Sequence, residues 1–242
     1  MDSNDVVEER LPHDECGAEQ ARVLYADGHW YCYKCDTYGR EKGEYPMSQQ
    51  QSAPIKGVIN NVLSQGQSEA LTKRNISLDT VKKYGVTSKL NKHIYPYFDK
   101  DSCHVANKVR QTDPKNFFTE GDLSSSQLFG QHLFPPSSAK YITLSEGEID
   151  AMSVFEMNGS KFPSVSIKSG AASAVRDCKT QMEYLNSFEN IIICFDNDEA
   201  GRKASAKVAE LFEPNKAKIV KLDFKDANEY LKIGKREDFT RA

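Results

Sequence analysis

Short apolar runs recur along the second half of the chain, each followed by a longer stretch with helical period. Residues 141–144, 163–167, 191–195 and 217–222 are rich in β-branched and apolar side chains and end in turn residues, so they read as buried strands. Helical spacing fills 148–158, 172–186 and 199–212, with a last helix near 226–232. This alternation predicts a parallel sheet with helices on both faces. Upstream the pattern changes. Two helix-like segments, 58–73 and 77–84, the second with Ser77 as N-cap, precede an alternating hairpin of 93–98 and 104–110. Residues 43–54 carry no apolar period and are rich in Gln, Ser and Pro, as a flexible tether would be. Ahead of them, 22–25 and 29–33 read as two strands around the turn 26–28. The expected domains are 1–44, a linker 45–56, a small α+β subdomain 57–136 and the β/α region 137–242.

Composition narrows the function classes. With 38% hydrophobic and 28% charged residues over 242 positions, the chain can bury a core and remain soluble. No apolar run approaches the roughly 18 residues of a membrane span, and no signal peptide opens the chain. A cytoplasmic protein without a membrane partner is expected. The net charge of −3 excludes a uniformly basic nucleic-acid coat. Its distribution says more: from Lys56 to Lys115 eleven Lys/Arg stand against five Asp/Glu, while the first 45 residues are acidic.

Of six cysteines, three cluster near the start and three (Cys103, Cys178, Cys194) are scattered, which suggests a metal site in a reducing compartment. His13-x2-Cys16 and Cys32-x2-Cys35, fifteen residues apart, suit a tetrahedral structural zinc in a ribbon. A module this small cannot bury enough surface to fold alone, so the metal would supply the missing stability. Asp27 and His29 sit at the hairpin turn among Trp30, Tyr31 and Tyr33. They make either an ordinary turn over core aromatics or a surface that stacks and hydrogen-bonds bases.

Two acidic clusters carry the chemistry. Glu146-Gly147-Glu148-Ile149-Asp150 follows the first strand of the β/α region, and Asp196-Asn197-Asp198-Glu199-Ala200-Gly201-Arg202 follows the third. Open α/β sheets hold ligands at the carboxyl ends of their strands. Carboxylates there bind Mg²⁺ through oxygen and leave positions for water and phosphates. A lone acid at such a turn would be a helix cap; two clusters on one sheet predict a divalent-metal site, with Asp226 adding an acid after the fourth strand. On 104–110, alternation puts Lys108 and Arg110 on one face. With Arg74 and Lys115 they form either a path for phosphates or a solvated polar surface. The turn Ser169-Gly170-Ala171-Ala172-Ser173 could open a helix toward a phosphate or simply permit tight packing.

These motifs resemble the toprim (topoisomerase–primase) fold, with its Glu-Gly turn and later Asp-x-Asp. The order zinc ribbon, tether, basic subdomain, toprim resembles the primase half of T-seven-like phage primase–helicases over nearly the whole chain. So do Asp-Gly-His-x-x-Cys-Tyr-x-Cys (27–35), Lys-Val-Arg (108–110), Lys-Asn-Phe (115–117), Leu-Phe-Gly-x-His-Leu (128–133) and Lys-Asp-Ala-Asn-Glu (225–229). The resemblance implies a DNA-dependent RNA polymerase that makes short primers from ribonucleoside triphosphates on a single-stranded DNA template, partnered by a replicative DNA polymerase and a helicase domain or subunit. It implies Glu146, Asp196, Asp198 and Asp226 as ligands of Mg²⁺ (or Mn²⁺), with Glu146, Asp196 and Asp198 catalytic. Arg74, Lys108, Arg110, Lys115, Lys168 and Arg202 would contact nucleotide phosphates or template. Asp27 and His29 would read template bases. Two departures stand out: His13 replaces a Cys, and Lys168-Ser169 replaces a Gly-His. No Gly-x4-Gly-Lys-Ser/Thr loop occurs, so a motor lies outside this chain or the primase stands alone. A toprim nuclease and a non-catalytic DNA-binding recombination mediator are the competing readings.

Overall fold

The computed structural model describes residues 6–25, 28–32, 34–35, 37–40 and 63–239. The chain separates into two compact units, Met1–Val58 and Ile59–Ala242. Asp27, Tyr33 and the expected linker 45–56 lie outside the described residues.

The first unit is a four-stranded antiparallel sheet in sequence order: β1 (Val6–His13), β2 (Ala18–Tyr25), β3 (His29–Cys32) and β4 (Thr37–Arg40). The expected hairpin is its centre, with Val23 opposite Tyr31 and Leu24 opposite Trp30. The outer strands were not expected, because residues 6–13 lack a clean polar–apolar alternation and β1 pairs with β2 through repeated register shifts.

The second unit opens differently from expectation. Residues 63–71 form no helix; Gln67 bridges Ser88, and Ser64 donates its amide and hydroxyl to the Glu120 carboxylate at 2.8 and 2.6 Å. Gly66 explains the extended path, since a Cβ there would stand 2.2 Å from the carbonyl oxygen of Ser88. Residues 58–62 lie outside the described residues. The next helix forms as expected, α1 (Leu78–Lys83), with the Ser77 hydroxyl accepting from the Thr80 amide. A second antiparallel sheet follows: β5 (Thr87–Lys89), β6 (Lys92–Phe98), β7 (His104–Thr112) and β8 (Lys115–Gly121). Its centre is the predicted hairpin.

The β/α region holds β9 (Tyr141–Ser145), α2 (Glu148–Met157), β10 (Ser164–Ser166), α3 (Ala174–Thr180), α4 (Met182–Asn186), β11 (Asn190–Cys194), α5 (Glu199–Ala209), β12 (Ala217–Ile219), α6 (Ala227–Lys232) and α7 (Arg236–Phe239). The strands are parallel in the order β10-β9-β11-β12, as the alternating pattern predicts. The single helix expected over 172–186 is broken at Gln181 (φ −115°, ψ 24°), whose side-chain oxygen accepts from Gln131 at 2.8 Å. One core joins the second sheet to the third: Tyr95, Tyr97 and Ala106 pack in the same buried cluster as Ile142, Leu144, Ile149 and Val165. The basic subdomain and the β/α region therefore form a single packed body. No helix among the described residues is long and apolar enough to cross a membrane.

Candidate active site

Strand register assembles the acidic site. Ser145 pairs with Cys194, so β9 and β11 end side by side, and Glu146 and Asp196 leave the sheet at the same edge. Gly201 sits so close to the turn after β11 that a Cβ would meet the Asp196 carbonyl oxygen at 2.1 Å. This is why Asp-x-Asp is followed by x-x-Gly. Asp198 caps α5, accepting from the Gly201 amide at 2.8 Å, and Asp226 caps α6, accepting from the Glu229 amide at 3.0 Å. Glu146 Oε1 accepts from the Ala171 amide at 3.2 Å. The Ser-Gly-Ala turn thus gives its first amide to Glu146 rather than leaving it open for a phosphate.

Asp150, in the first turn of α2, belongs to the acidic cluster of the sequence but was not among the expected ligands. Its Oδ1 accepts from the Asn228 amide at 3.1 Å. Asn228, fully buried, ties Arg74 into the same wall: the Arg74 guanidinium donates to Asn228 Oδ1 at 3.2 Å, and Asn228 Nδ2 donates to the Arg74 carbonyl at 2.8 Å. Asp150 was legible as part of Glu-Gly-Glu-Ile-Asp, one helical turn from Glu146; Asn228 gave no signal of its own.

The charge in this wall is only partly offset, by Lys225 near Glu146 and Asp196 and by Arg74 near Asp150. None of Glu146, Asp150, Asp196, Asp198 and Asp226 joins an ion pair among the described residues, and Glu146 Oε2 is buried without a hydrogen-bond partner. Burial raises the Glu146 carboxyl above its ordinary range, against the pull of the Ala171 and Asp196 amides. Burial, then the charges of Glu146 and Asp226, push Asp196 up to about 6. Burial, then the charges of Asp226 and Asp196, hold Asp150 well above its ordinary range. Carboxylates crowded this way favour a bound cation. Among the described residues, His13, Cys16, Cys32 and Cys35 are the one group of three or more metal-type ligands already drawn close enough to hold an ion, so the acids of this wall are not gathered round a common point.

The expected cations fall into two groups. Lys108 pairs with the buried Glu148 at 2.7 Å and donates to the Lys168 carbonyl at 2.9 Å, while Tyr97 donates to the same Glu148 oxygen at 2.6 Å. Lys168 is turned inward: its ammonium meets the carbonyls of Ser126, Leu123 and Ser124 at 3.0, 3.3 and 3.4 Å, and burial lowers its pKa. Those carbonyls accept hydrogen bonds from the ammonium. Arg202 donates to Asn197. Arg110 and Lys115 have no ion-pair partner among the described residues, and both approach the Phe117 ring. A depression of about 310 Å³ lies between Lys108, Phe117, Leu123, Lys168 and Ser169.

In the first unit, the donor atoms of His13, Cys16, Cys32 and Cys35 all lie within 4.8 Å of one another. His13 Nδ1 is 3.3 Å from Cys16 Sγ and 3.4 Å from Cys35 Sγ, and Cys16 Sγ is 3.7 Å from Cys32 Sγ. Four ligands about 2.3 Å from one ion stand roughly 3.8 Å apart at tetrahedral angles, so the cluster fits a zinc-sized metal. The Thr37 hydroxyl, 3.0 Å from Cys35 Sγ, lowers that thiol to about 6 and prepares it as a thiolate. His29 stacks on Tyr25 at 4.1 Å.

Comparison with known proteins agrees with this arrangement. The Toprim-like family model matches residues 143–231, the span that carries every acid of the wall. The primase fragment of the bacteriophage T7 primase-helicase protein superimposes with a TM-score of 0.68 and 35% identity, over 98% of each chain. The chain belongs to this phage primase family. A second structure, of T7 lagging-strand DNA polymerase interacting with primase domains of two gp4 subunits, matches 76% of this chain and 94% of that one at 39% identity and a TM-score of 0.68. The DNA helicase/primase of Enterobacteria phage T3 is 38% identical over 229 residues, 90% of this chain. The present phage-primase-type chain spans 40% of that relative's length.

Proposed function

We propose that the chain is a DNA primase, a template-dependent RNA polymerase that joins ribonucleoside triphosphates into short primers on single-stranded DNA. The observation that carries this reading is the pair of carboxylates, Glu146 and Asp196, at the ends of two hydrogen-bonded parallel strands, inside a chain that matches a T7 primase fragment along its length. Glu146, Asp196, Asp198 and Asp226 hold Mg²⁺, with Mn²⁺ acceptable to the same oxygens. When bound there, the ion would supply neutralising charge at the reacting phosphate and acidify the attacking hydroxyl. Glu146, whose buried Oε2 has no hydrogen-bond partner, is the acid placed to take the proton of that 3′-hydroxyl. Arg74, fixed by Asn228 beside the acids, and Arg110 and Lys115 supply positive charge for phosphates or template. Arg202 lies on the helix that Asp198 caps and serves the same purpose. In the first unit zinc joins His13 to the three cysteines, and Asp27 and His29 read template bases. A helicase domain or subunit and the replicative DNA polymerase are the expected partners.

The test is incubation with Mg²⁺, four labelled ribonucleotides and a randomised single-stranded DNA pool. Short RNA supports the primase. Shortened DNA would identify a toprim nuclease, and binding without either product a recombination mediator.

A further inference from the structure

Phe117 lies on β8, the edge strand of the second sheet, and is 45% exposed. Its surroundings are cationic. Lys108 Nζ, the Arg110 guanidinium carbon and Lys115 Nζ stand 5.9, 5.6 and 5.9 Å from its ring centroid. Register explains the cluster: Arg110 is the direct cross-strand partner of Phe117, and Lys115 precedes it by two on the same face. Lys108 is already neutralised by Glu148. Arg110 and Lys115 are not neutralised by any carboxylate among the described residues, and Arg110 Nε is buried with no acceptor. Beside the ring opens the depression of about 310 Å³, whose far wall includes Ser169. Two residues on from Ser169, the Ala171 amide holds Glu146. One short loop therefore borders both the aromatic surface and the acids.

We propose that Phe117 is a stacking platform for the base of a ribonucleoside triphosphate, with Arg110 and Lys115 taking its phosphates. This rests on the polymerase reading and assigns its nucleotide a place. An aromatic face accepts any base, because every base presents a π surface, so the site is tolerant of sequence. Uncompensated cations within reach of the ring supply the triphosphate's counter-charge.

The experiment is calorimetric titration of the full chain with ATP, CTP and inorganic tripolyphosphate in the presence of Mg²⁺. The wild type binds both nucleotides more tightly than tripolyphosphate. Phe117→Leu weakens ATP and CTP about tenfold, a modest value for loss of one stacked base, and leaves tripolyphosphate affinity unchanged. Phe117→Trp keeps nucleotide affinity, and ATP quenches its added indole fluorescence above the Trp30 background. Equal nucleotide affinity in the wild type and Phe117→Leu, or no added quench in Phe117→Trp, overturns the platform while leaving the polymerase reading intact. An equal fall for tripolyphosphate also overturns it, since the change is then electrostatic or structural. Failure of the wild type to bind either nucleotide overturns the platform, while the polymerase reading stands or falls on primer synthesis with template.

Discussion

Lys108 and Glu148 form a 2.7 Å ion pair that joins the second sheet to the first turn of α2, two residues beyond Glu146. Glu148 is buried, and the same oxygen also accepts from Tyr97. Removing one partner of such a pair leaves the other charge without compensation, which costs on the order of 3–5 kcal/mol. Glu148→Ala should therefore lower the urea midpoint of the second unit's transition strongly, and Glu148→Gln, which keeps an acceptor for Tyr97, less so. Equal midpoints for the wild type and Glu148→Ala would show that the pair contributes nothing.

The crowded acids predict a pH signature. Asp196 titrates at about 6 in the folded protein, raised by burial and by Glu146 and Asp226, against an ordinary value of 3.8. The folded state thus binds this proton more tightly than the unfolded state. Its contribution is complete below about pH 3.8 and is lost as pH rises through about 6. In metal-free protein Asp196→Asn should raise Tm at pH 8, and the gain should vanish toward pH 4. Because the group is part-exposed, screening holds the effect to roughly 1 kcal/mol, a few degrees for a protein of this size. A Tm difference independent of pH would contradict the charge repulsion.

The zinc-type cluster makes a separate prediction. A ribbon whose buried apolar residues, among those described, are Ala18, Val23, Leu24 and Cys32 needs its metal to stay folded. Chelation should melt the strands of the first unit and end template-specific priming, while the second unit keeps its thermal transition. Elemental analysis should return one zinc per chain. A metal-free protein with an intact first sheet would refute this.

Gly201→Ala tests the turn behind Asp196. A Cβ 2.1 Å from the Asp196 carbonyl forces the Asp-x-Asp backbone to move. Misplacing catalytic groups by about 1 Å costs roughly 10²-fold in rate, so primer synthesis should fall by about that factor while far-UV dichroism changes little. Full activity would show that the turn tolerates the shift.

The parts of the fold that announce themselves are those with one dominant physical cause. β9 and β11 are apolar because both faces are buried, and the acids that follow them in sequence leave the sheet side by side. His13, Cys16, Cys32 and Cys35 were readable because ligand spacing is a local property. Long-range partners hid the rest. Residues 63–71 carry an apolar spacing that suits a helix, yet Ser88 and Glu120 capture their backbone and Gly66 permits the approach. Nor does any local pattern reveal that the Lys168 ammonium meets the carbonyls of Leu123, Ser124 and Ser126. The role of Asn228 depends on Arg74, 154 residues away, which no local pattern reveals.

The central claim is that one carboxylate wall joins ribonucleotides. Its most direct measurement is dinucleotide synthesis by Glu146→Gln with Mg²⁺, labelled ribonucleotides and single-stranded template, with template binding measured in parallel. The wild type should make dinucleotides, Glu146→Gln none detectable, and both should bind DNA with similar affinity. Undiminished synthesis by Glu146→Gln would contradict it.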